Sequence, residues 1–210
     1  AAGPAPPDDA AERARLAAAL GGAPAWAAVS THAGEEEAVL DAHLALRKRL
    51  PGARLILCPR HPARAAALAA LAAARGLSVA RRSAGEAPGE APVYLADTFG
   101  ETGLWFRLAP VAFLGGSLVP VGGHNPWEPA ACGAALLTGP LRETVAADMA
   151  ALEAAGAART VADAAALAEA VAGLLADPDR ARAMGEAGRR MAAAQGDRVE
   201  EIARGLLAML

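Results

Sequence analysis

The chain has 210 residues, of which 54% are hydrophobic and 20% are charged. This composition excludes a disordered chain and provides a core for one large domain or two small ones. The 20 basic and 23 acidic side chains leave a net charge of −3, so nucleic acid is a poor candidate partner. Two cysteines, Cys58 and Cys132, are too few for a disulfide framework or a cysteine-based zinc site. No apolar run of about 18 residues predicts a membrane-spanning helix.

The first residues are rich in alanine and proline, a composition typical of a linker between domains. We therefore assign residues 1–11 to an interdomain linker and residues 12–210 to one domain. Asp8 or Asp9 can cap a first helix, which ends at the Gly21-Gly22 pair.

Beyond that helix, short apolar runs alternate with segments of helical spacing. The predicted strands span residues 26–29, 54–58, 77–80, 93–95, 111–114, 135–138 and, at one edge, 158–161. The predicted helices span residues 35–50, 63–75, a short segment ending at 107, 126–132 and 143–155, and three more begin near Asp163, Asp177 and Asp197. Strands that are apolar at every residue and alternate with helices indicate a parallel sheet covered on both faces. We therefore predict an α/β fold, a Rossmann-like doubly wound parallel sheet.

Ligands of such sheets bind beyond the carboxyl ends of the strands, where four loops here carry polar residues. These loops are residues 30–34, 59–61, 97–101 and 115–128. No G-x-G-x-x-G motif follows the first strand, so the dinucleotide fingerprint is absent.

The loop from Gly115 to Glu128 is rich in glycine and leads into a helix. Bare backbone amides and a helix N-terminus favour negative charge, so we expect this loop to hold a phosphate. Asn125 is also a good helix cap, with Pro126 at the first helical position and Glu128 completing a pattern like a capping box. Capping and ligand contact are equally favoured for Asn125, and Glu128 is suited to accept hydrogen bonds from a ribose diol.

Arg60 and His61 lie between two prolines at a strand end, where rigid backbone would direct their side chains. Arginine suits bidentate recognition of phosphate, although a solvated loop arginine and a structural histidine are the simpler interpretations. His32 and Gly34 could line the same cleft. The three acidic residues 35–37 are expected to complement the positive end of their own helix.

Several kinds of chemistry find no motif here. There is no paired-carboxylate D-x-D for a divalent ion, no G-x-S-x-G nucleophile elbow, and the four histidines are scattered along the chain. We expect no metal and no other cofactor.

Four segments, over about residues 24–140, resemble in order and spacing the bacterial Kdo (3-deoxy-D-manno-octulosonic acid) transferases. They are Ser30-Thr31-His32-Ala33-Gly34-Glu35-Glu36, Arg60-His61-Pro62-Ala63-Arg64, Leu95-Ala96-Asp97-Thr98-Phe99-Gly100-Glu101, and a stretch from Ala112-Phe113-Leu114-Gly115-Gly116-Ser117 to Gly122-Gly123-His124-Asn125-Pro126-Trp127-Glu128-Pro129. Two positions depart from the family: Ala63 stands where members often have Glu, and Thr144-Val145 where they have an Asn-Phe pair.

This resemblance implies that the chain is the C-terminal donor-binding lobe of a GT-B glycosyltransferase. The implied donor is CMP-Kdo and the implied acceptor is a lipid A precursor, in lipopolysaccharide biosynthesis at the cytoplasmic face of the inner membrane. The family's general base is a glutamate of the amino-terminal lobe, outside this chain. The chain is therefore expected to bind the donor nucleotide without catalysing transfer, and it contributes no catalytic residue.

The resemblance also implies a set of residues that border the CMP moiety. They are Pro59, Arg60, His61, Phe99, Gly100, Glu101, Asn125, Pro126, Trp127 and Glu128. Lesser candidates are His32, Gly34, Gly116, Ser117 and His124.

Two other interpretations remain open at this point. The same fold could serve another GT-B glycosyltransferase or a sugar-nucleotide epimerase that uses a UDP-sugar. Alternatively, the chain could be a non-enzymatic interaction module, although the polar residues at predicted strand ends favour a ligand site.

Overall fold

The computed structural model describes residues 5–207, and the side chains of residues 5–196. Within that range, the α-helices are α1 Ala10–Leu20, α2 Glu36–Arg49, α3 Ala65–Ala73, α4 Thr102–Leu108, α5 Trp127–Cys132, α6 Ala146–Ala154, α7 Ala164–Ala176 and α8 Pro178–Leu207. The strands are β1 Ala25–Thr31, β2 Arg54–Pro59, β3 Val79–Arg81, β4 Val93–Leu95, β5 Val111–Leu114, β6 Ala135–Thr138 and β7 Ala158–Thr160. Short 3₁₀ turns occupy Pro62–Arg64, Arg82–Ala84 and Glu143–Val145.

The seven strands of the described residues form one sheet in the order β3-β4-β2-β1-β5-β6-β7. Every neighbouring pair is parallel, which confirms the predicted doubly wound parallel sheet. From β1 the chain forms β2, β3 and β4 on one side of the sheet, with β4 inserted between β2 and β3, and then continues with β5, β6 and β7 on the other side. The strand order therefore reverses between β1 and β5, where the loops from the two strands diverge and leave a crevice.

Apolar side chains cover both faces of this sheet. Along β1, Ala27 and Val29 belong to one buried cluster, while Trp26 and Ala28 belong to another. Successive residues of a strand point to opposite faces, so the two clusters are the two sides of the sheet. The first side is closed by α1, α4, α5, α6 and α8, and the second by α2, α3 and α7.

Helix α1 forms as the sequence predicts. The Asp9 carboxylate accepts a hydrogen bond from the Glu12 amide at 2.9 Å, and Gly21 ends the helix with a φ of 60°. Of the predicted linker 1–11, residues 1–4 lie outside the described residues, and α1 begins at Ala10, just inside the predicted boundary. The assignment of this segment as an interdomain linker stays a prediction.

The prediction of a separate helix beginning near Asp197 was wrong. Helix α8 continues through Gly196 and Asp197 without a break, and Gly196 is not among the glycines with positive φ. Helix α8 packs against α5 and β6, and a glycine inside a helix costs only about 1 kcal/mol, which does not suffice to end it at Gly196.

No helix in the described part of the chain combines the length and the apolar composition needed to cross a bilayer.

Candidate functional site

A cleft of about 330 Å³ opens at the carboxyl edge of the sheet, beside the point where the strand order reverses. It is bordered by the loops that follow β1, β2, β4 and β5. Its lining residues are Ser30, Cys58, Pro59, Arg60, Pro62, Thr98, Phe99, Gly100, Thr102, Phe106, Leu114, His124, Asn125 and Glu128. Three of the four predicted loops thus contribute predicted residues to one cleft, and the fourth, 30–34, contributes Ser30.

Ser30 shapes the end of β1 and was not a predicted site residue. It has a φ of 60°, the only positive φ of a non-glycine residue in the described range, and the β1–β2 register shifts between Val29 and Thr31. This bulge turns the Ser30 peptide out of the sheet, so that its backbone lies beside Cys58 and His124 and shifts the pKa of both side chains. Burial raises the pKa of the Cys58 thiol to about 12, which makes it an inert wall of the cleft.

Glu35 is fully buried and holds the loop after β1 against the glycine-rich loop after β5. One carboxylate oxygen accepts from the amides of His32 at 2.7 Å and Gly116 at 2.6 Å. The other accepts from the amides of Ser117 and Leu118, each at 3.3 Å. An acidic side chain of the protein therefore already occupies the anion position that the sequence predicts for a phosphate in this part of the loop.

Consequently, the amides of Gly116 and Ser117 are engaged inside the protein, contrary to the expectation of a bare amide socket. The Ser117 hydroxyl also donates to the Leu114 carbonyl and accepts from the Gly139 amide, each at 2.8 Å. The expectation that residues 35–37 only complement their helix is likewise wrong for Glu35. A helix dipole does not require three adjacent acidic residues at one helix start. The surplus acid was the feature of the sequence that could have indicated a further role for Glu35.

Close approach, more than phosphate binding, explains the first glycines of the loop. A Cβ at Gly115 would lie 2.6 Å from the Ser30 carbonyl oxygen and 2.7 Å from the Glu35 carboxylate. A Cβ at Gly116, where φ is 68°, would lie 2.9 Å from the His124 ring. Without side chains at these positions, the β1 and β5 loops can touch.

The later glycines pack against Thr144 and Val145, the pair that departs from the family. The Thr144 hydroxyl donates to the Gly122 carbonyl at 2.6 Å, and a Cβ at Gly122 would meet the Thr144 methyl at 2.8 Å. A Cβ at Gly123 would lie 2.9 Å from Val145. The two side chains thus support the far side of the glycine-rich loop.

Asn125 lies one residue before the helix-cap position predicted for it: Pro126 is the N-cap residue of α5 and Trp127, not Pro126, is the first helical residue. The Asn125 side-chain oxygen accepts from the Trp127 amide at 3.1 Å, which closes the turn that leads into the helix. The reciprocal half of a capping box does not form: no described side chain or amide is a hydrogen-bond partner of the Glu128 carboxylate, which lines the cleft half-buried. Pro126 and Trp127 are buried and lie outside the lining, with Trp127 packed in the core. Asn125 and Glu128 are therefore the members of this helix start that face the cleft.

Arg60 differs from the other arginines near this edge. Arg64 pairs with the buried Glu36, Arg81 with Asp97 at 2.8 Å, and Arg82 with Glu101 at 2.5 Å. Arg60 is exposed and makes no ion pair with any described carboxylate. Its guanidinium is therefore available to an anion that enters the cleft.

Two carboxylates of the 97–101 loop are occupied within the fold. Asp97 also accepts from the Ser83 amide and hydroxyl, at 2.8 and 2.7 Å, and Glu101 also accepts from the Thr98 hydroxyl. Glu101, a predicted contact of CMP, has its carboxylate directed to Arg82 and lies outside the lining. Phe99 instead stands at the cleft with 74% of its surface exposed, next to the tight turn at Gly100 with a φ of 80°.

Three histidines from three loops meet beside the cleft. The Nε2 atoms of His32 and His124 lie 2.8 Å apart, and their rings stack at 5.0 Å between centroids. His61 lies edge-on to His32 at 5.8 Å. Burial lowers the pKa of both His32 and His124, and the positive charge of Arg60 lowers each pKa further. Only His124 belongs to the cleft lining.

The described residues contain no group of three His, Cys, Asp or Glu side chains placed to hold a metal ion.

The comparisons with known proteins define the class. A family model described as "Glycosyl transferase-like" matches residues 124–204. The C-terminal CMP-Kdo binding domain of WaaA from Acinetobacter baumannii superposes with a TM-score of 0.80 at 29% identity, covering 86% of this chain and 95% of that one. The C-terminal domain of a group 1 glycosyl transferase (LpcC) from Francisella tularensis shares the fold, with a TM-score of 0.58 at 10% identity over 90% of this chain and 94% of that one. The chain has the fold of the carboxyl-terminal lobe of a GT-B glycosyltransferase.

Curated relatives give the family. The 3-deoxy-D-manno-octulosonic acid transferase of Haemophilus influenzae is 44% identical over 117 residues, which cover 55% of this chain and 27% of the relative. That of Bordetella pertussis is 39% identical over 186 residues, which cover 82% of this chain and 42% of the relative. The chain belongs to the Kdo transferase family, and it spans less than half the length of these relatives.

Proposed function

We propose that the chain is the donor-binding domain of an enzyme that transfers Kdo from CMP-Kdo to a lipid A precursor in lipopolysaccharide biosynthesis. The domain binds the CMP moiety of the donor in the cleft at the carboxyl edge of the sheet. The catalytic base belongs to an amino-terminal lobe outside these 210 residues, so the chain alone binds the donor without transferring Kdo. The acceptor and the location at the cytoplasmic face of the inner membrane are parts of the same proposal.

One observation carries this proposal: the cleft holds a cation and a carboxylate that no group of the described protein engages. Arg60 makes no ion pair and Glu128 no hydrogen bond, whereas Glu36, Asp97 and Glu101 are all paired with arginines. Unpaired charges of both signs facing one cleft are suited to a ligand that has both an anionic group and hydroxyl donors. A nucleoside monophosphate is such a ligand.

The roles of the individual residues follow from their chemistry. Arg60 binds the phosphate through its planar guanidinium. Glu128 accepts hydrogen bonds from the ribose hydroxyls, and the exposed Asn125 amide nitrogen donates to the same part of the nucleotide. Phe99 offers an exposed aromatic face on which the base can stack. A cleft of about 330 Å³ lies within the range of small-ligand sites.

The test is a calorimetric titration of this chain with CMP, UMP and UDP. We expect CMP to bind most tightly, and Arg60→Ala to weaken CMP binding by about 10- to 100-fold, because a charge-assisted contact to the phosphate is lost. Arg159→Ala is the matched control, since Arg159 is an exposed arginine on the edge strand β7 and should change the affinity by less than about twofold.

UDP binding far more tightly than CMP would replace the proposal with a lobe that uses a UDP-sugar. The proposal fails if no nucleotide binds, or if Arg60→Ala leaves the CMP affinity unchanged in a folded chain. Either result would favour the interpretation of the chain as a non-enzymatic interaction module.

A further inference from the structure

The histidine pair beside the cleft has a defined proton arrangement. With 2.8 Å between the two Nε2 atoms, one nitrogen must donate and the other must accept. In the neutral pair, the donor ring has its proton on Nε2 and a bare Nδ1, whereas the acceptor ring has its proton on Nδ1.

This pair can take up one proton but not two, because a second would place two N–H groups against each other at 2.8 Å. The added proton goes to the bare Nδ1 of the donor ring, which turns that ring into a cation with a second N–H donor.

Two neighbouring loops carry the charged groups that act on the histidine pair. From the β1–α2 loop and the start of α2, the carboxylate of Glu35 faces four backbone amides, and that of Glu36 faces Arg64 and Thr31. From the β2–α3 loop, Arg60 and His61 both oppose a positive charge on the pair. Glu35 and Glu36 favour a positive charge on His32, but their carboxylates are already engaged, and the free Glu128 carboxylate of the cleft makes no hydrogen bond to either ring. An anion that contacts the pair directly therefore has to come from a ligand.

Kdo is a carboxylic acid, so CMP-Kdo carries a carboxylate in addition to its phosphate. We infer that the His32–His124 pair is the subsite for the carboxylate of the donor sugar, and that it takes up one proton from solvent when this carboxylate binds. Arg60 and the pair then hold the two anionic groups separately. This inference rests on the proposed function and adds to it the means of selecting an acidic sugar.

The experiment compares CMP-Kdo with CMP, so that nucleotide binding cancels. Titrations of this chain at pH 7 in buffers of different ionisation enthalpy give the protons taken up, and we expect uptake of up to about one proton more with CMP-Kdo than with CMP. The ratio of CMP-Kdo affinity to CMP affinity should fall by about tenfold from pH 6 to pH 8. Burial lowers the pKa of both rings, so the free pair must take up a proton to bind the carboxylate, and this uptake is less favourable at higher pH.

Variants locate the effect on the pair. His32→Asn should lower the affinity ratio at pH 6 by about tenfold and abolish its dependence on pH, because the hydrogen-bonded pair of imidazoles that shares the proton is gone. Arg159→Ala is the control: Arg159 is exposed on the edge strand β7, so the substitution leaves the Nε2 contact intact and should change the ratio by less than about twofold.

Equal proton uptake for CMP-Kdo and CMP, or a ratio that is the same at pH 6 and pH 8, would overturn the inference while CMP binding still supported the proposed function. Failure of CMP itself to bind would remove both. The proton measurement uses the unaltered chain and therefore decides the matter even if a variant does not fold.

Discussion

Single side chains in this protein have roles that neighbouring residues of the same type do not share. Glu35, Glu36 and Glu37 follow one another, yet Glu35 joins two loops through four amides, Glu36 pairs with Arg64, and Glu37 is exposed. In sequence they are three equal helix-start acids. The distinction depends on the β5 loop, which is about 80 residues away along the chain.

The structure predicts that Glu35→Gln destabilises the fold. A glutamine keeps one oxygen acceptor but turns an NH₂ group toward amide donors, which leaves buried N–H groups unsatisfied. We expect a loss of about 1–3 kcal/mol in the free energy of unfolding, measured with urea. Glu37→Gln, on the same helix turn, should change it by less than about 0.5 kcal/mol. Equal effects of the two substitutions would contradict the role of Glu35.

At the scale of helices and strands, the sequence predicted most of the fold. The strands β4, β5 and β6 have the predicted bounds, and the others differ by one or two residues at an end. Apolar runs and turn residues are local signals, so one chain suffices to place such elements. Helix α8 was mispredicted near Asp197 because a local stop signal cannot reveal a surface against which the helix packs.

Two helix glycines should respond in opposite ways to the same substitution. A Cβ at Gly185 of α8 would lie 2.0 Å from the Gly133 carbonyl oxygen, so Gly185→Ala should cost about 1–3 kcal/mol or more. Gly173 of α7 has no atom within 4 Å of such a Cβ, so Gly173→Ala should stabilise by up to about 1 kcal/mol through helix propensity. Thermal unfolding of both variants checks the prediction, and destabilisation by Gly173→Ala would count against it.

On the scale of the whole molecule, a buried histidine connects three separate parts of the chain. His43 of α2 accepts from the Trp26 indole of β1 at 3.1 Å through Nδ1, and its Nε2 donates to the Pro92 carbonyl before β4 at 2.9 Å. Burial lowers the pKa of His43 to about 4. A proton on Nδ1 would face the Trp26 N–H, so the native fold needs the neutral ring.

The fold should therefore weaken in mild acid. The unfolded chain binds a proton at His43 near pH 6.5, and the folded chain binds it only near pH 4. Stability is complete above pH 6.5 and falls as the pH drops toward 4, by about 3 kcal/mol from this group. Urea unfolding at pH 7 and pH 5 measures the loss, and it should be smaller in His43→Gln, which has no titrating ring. An unchanged free energy of unfolding between the two pH values would rule this out.

The parallel α/β sheet, the loops that border the cleft and the family resemblance could all be predicted from the amino-acid sequence, because apolar periodicity, helix caps and motif spacing are local properties. The tertiary structure was needed to show which polar groups remain free. It assigned Glu35 to the glycine-rich loop and Glu101 to Arg82, left Arg60 and Glu128 unpaired, and brought His32 against His124. Hydrogen bonds and ion pairs between distant segments compete for the same donors and acceptors, and that competition is settled only when the loops meet at one edge of the sheet.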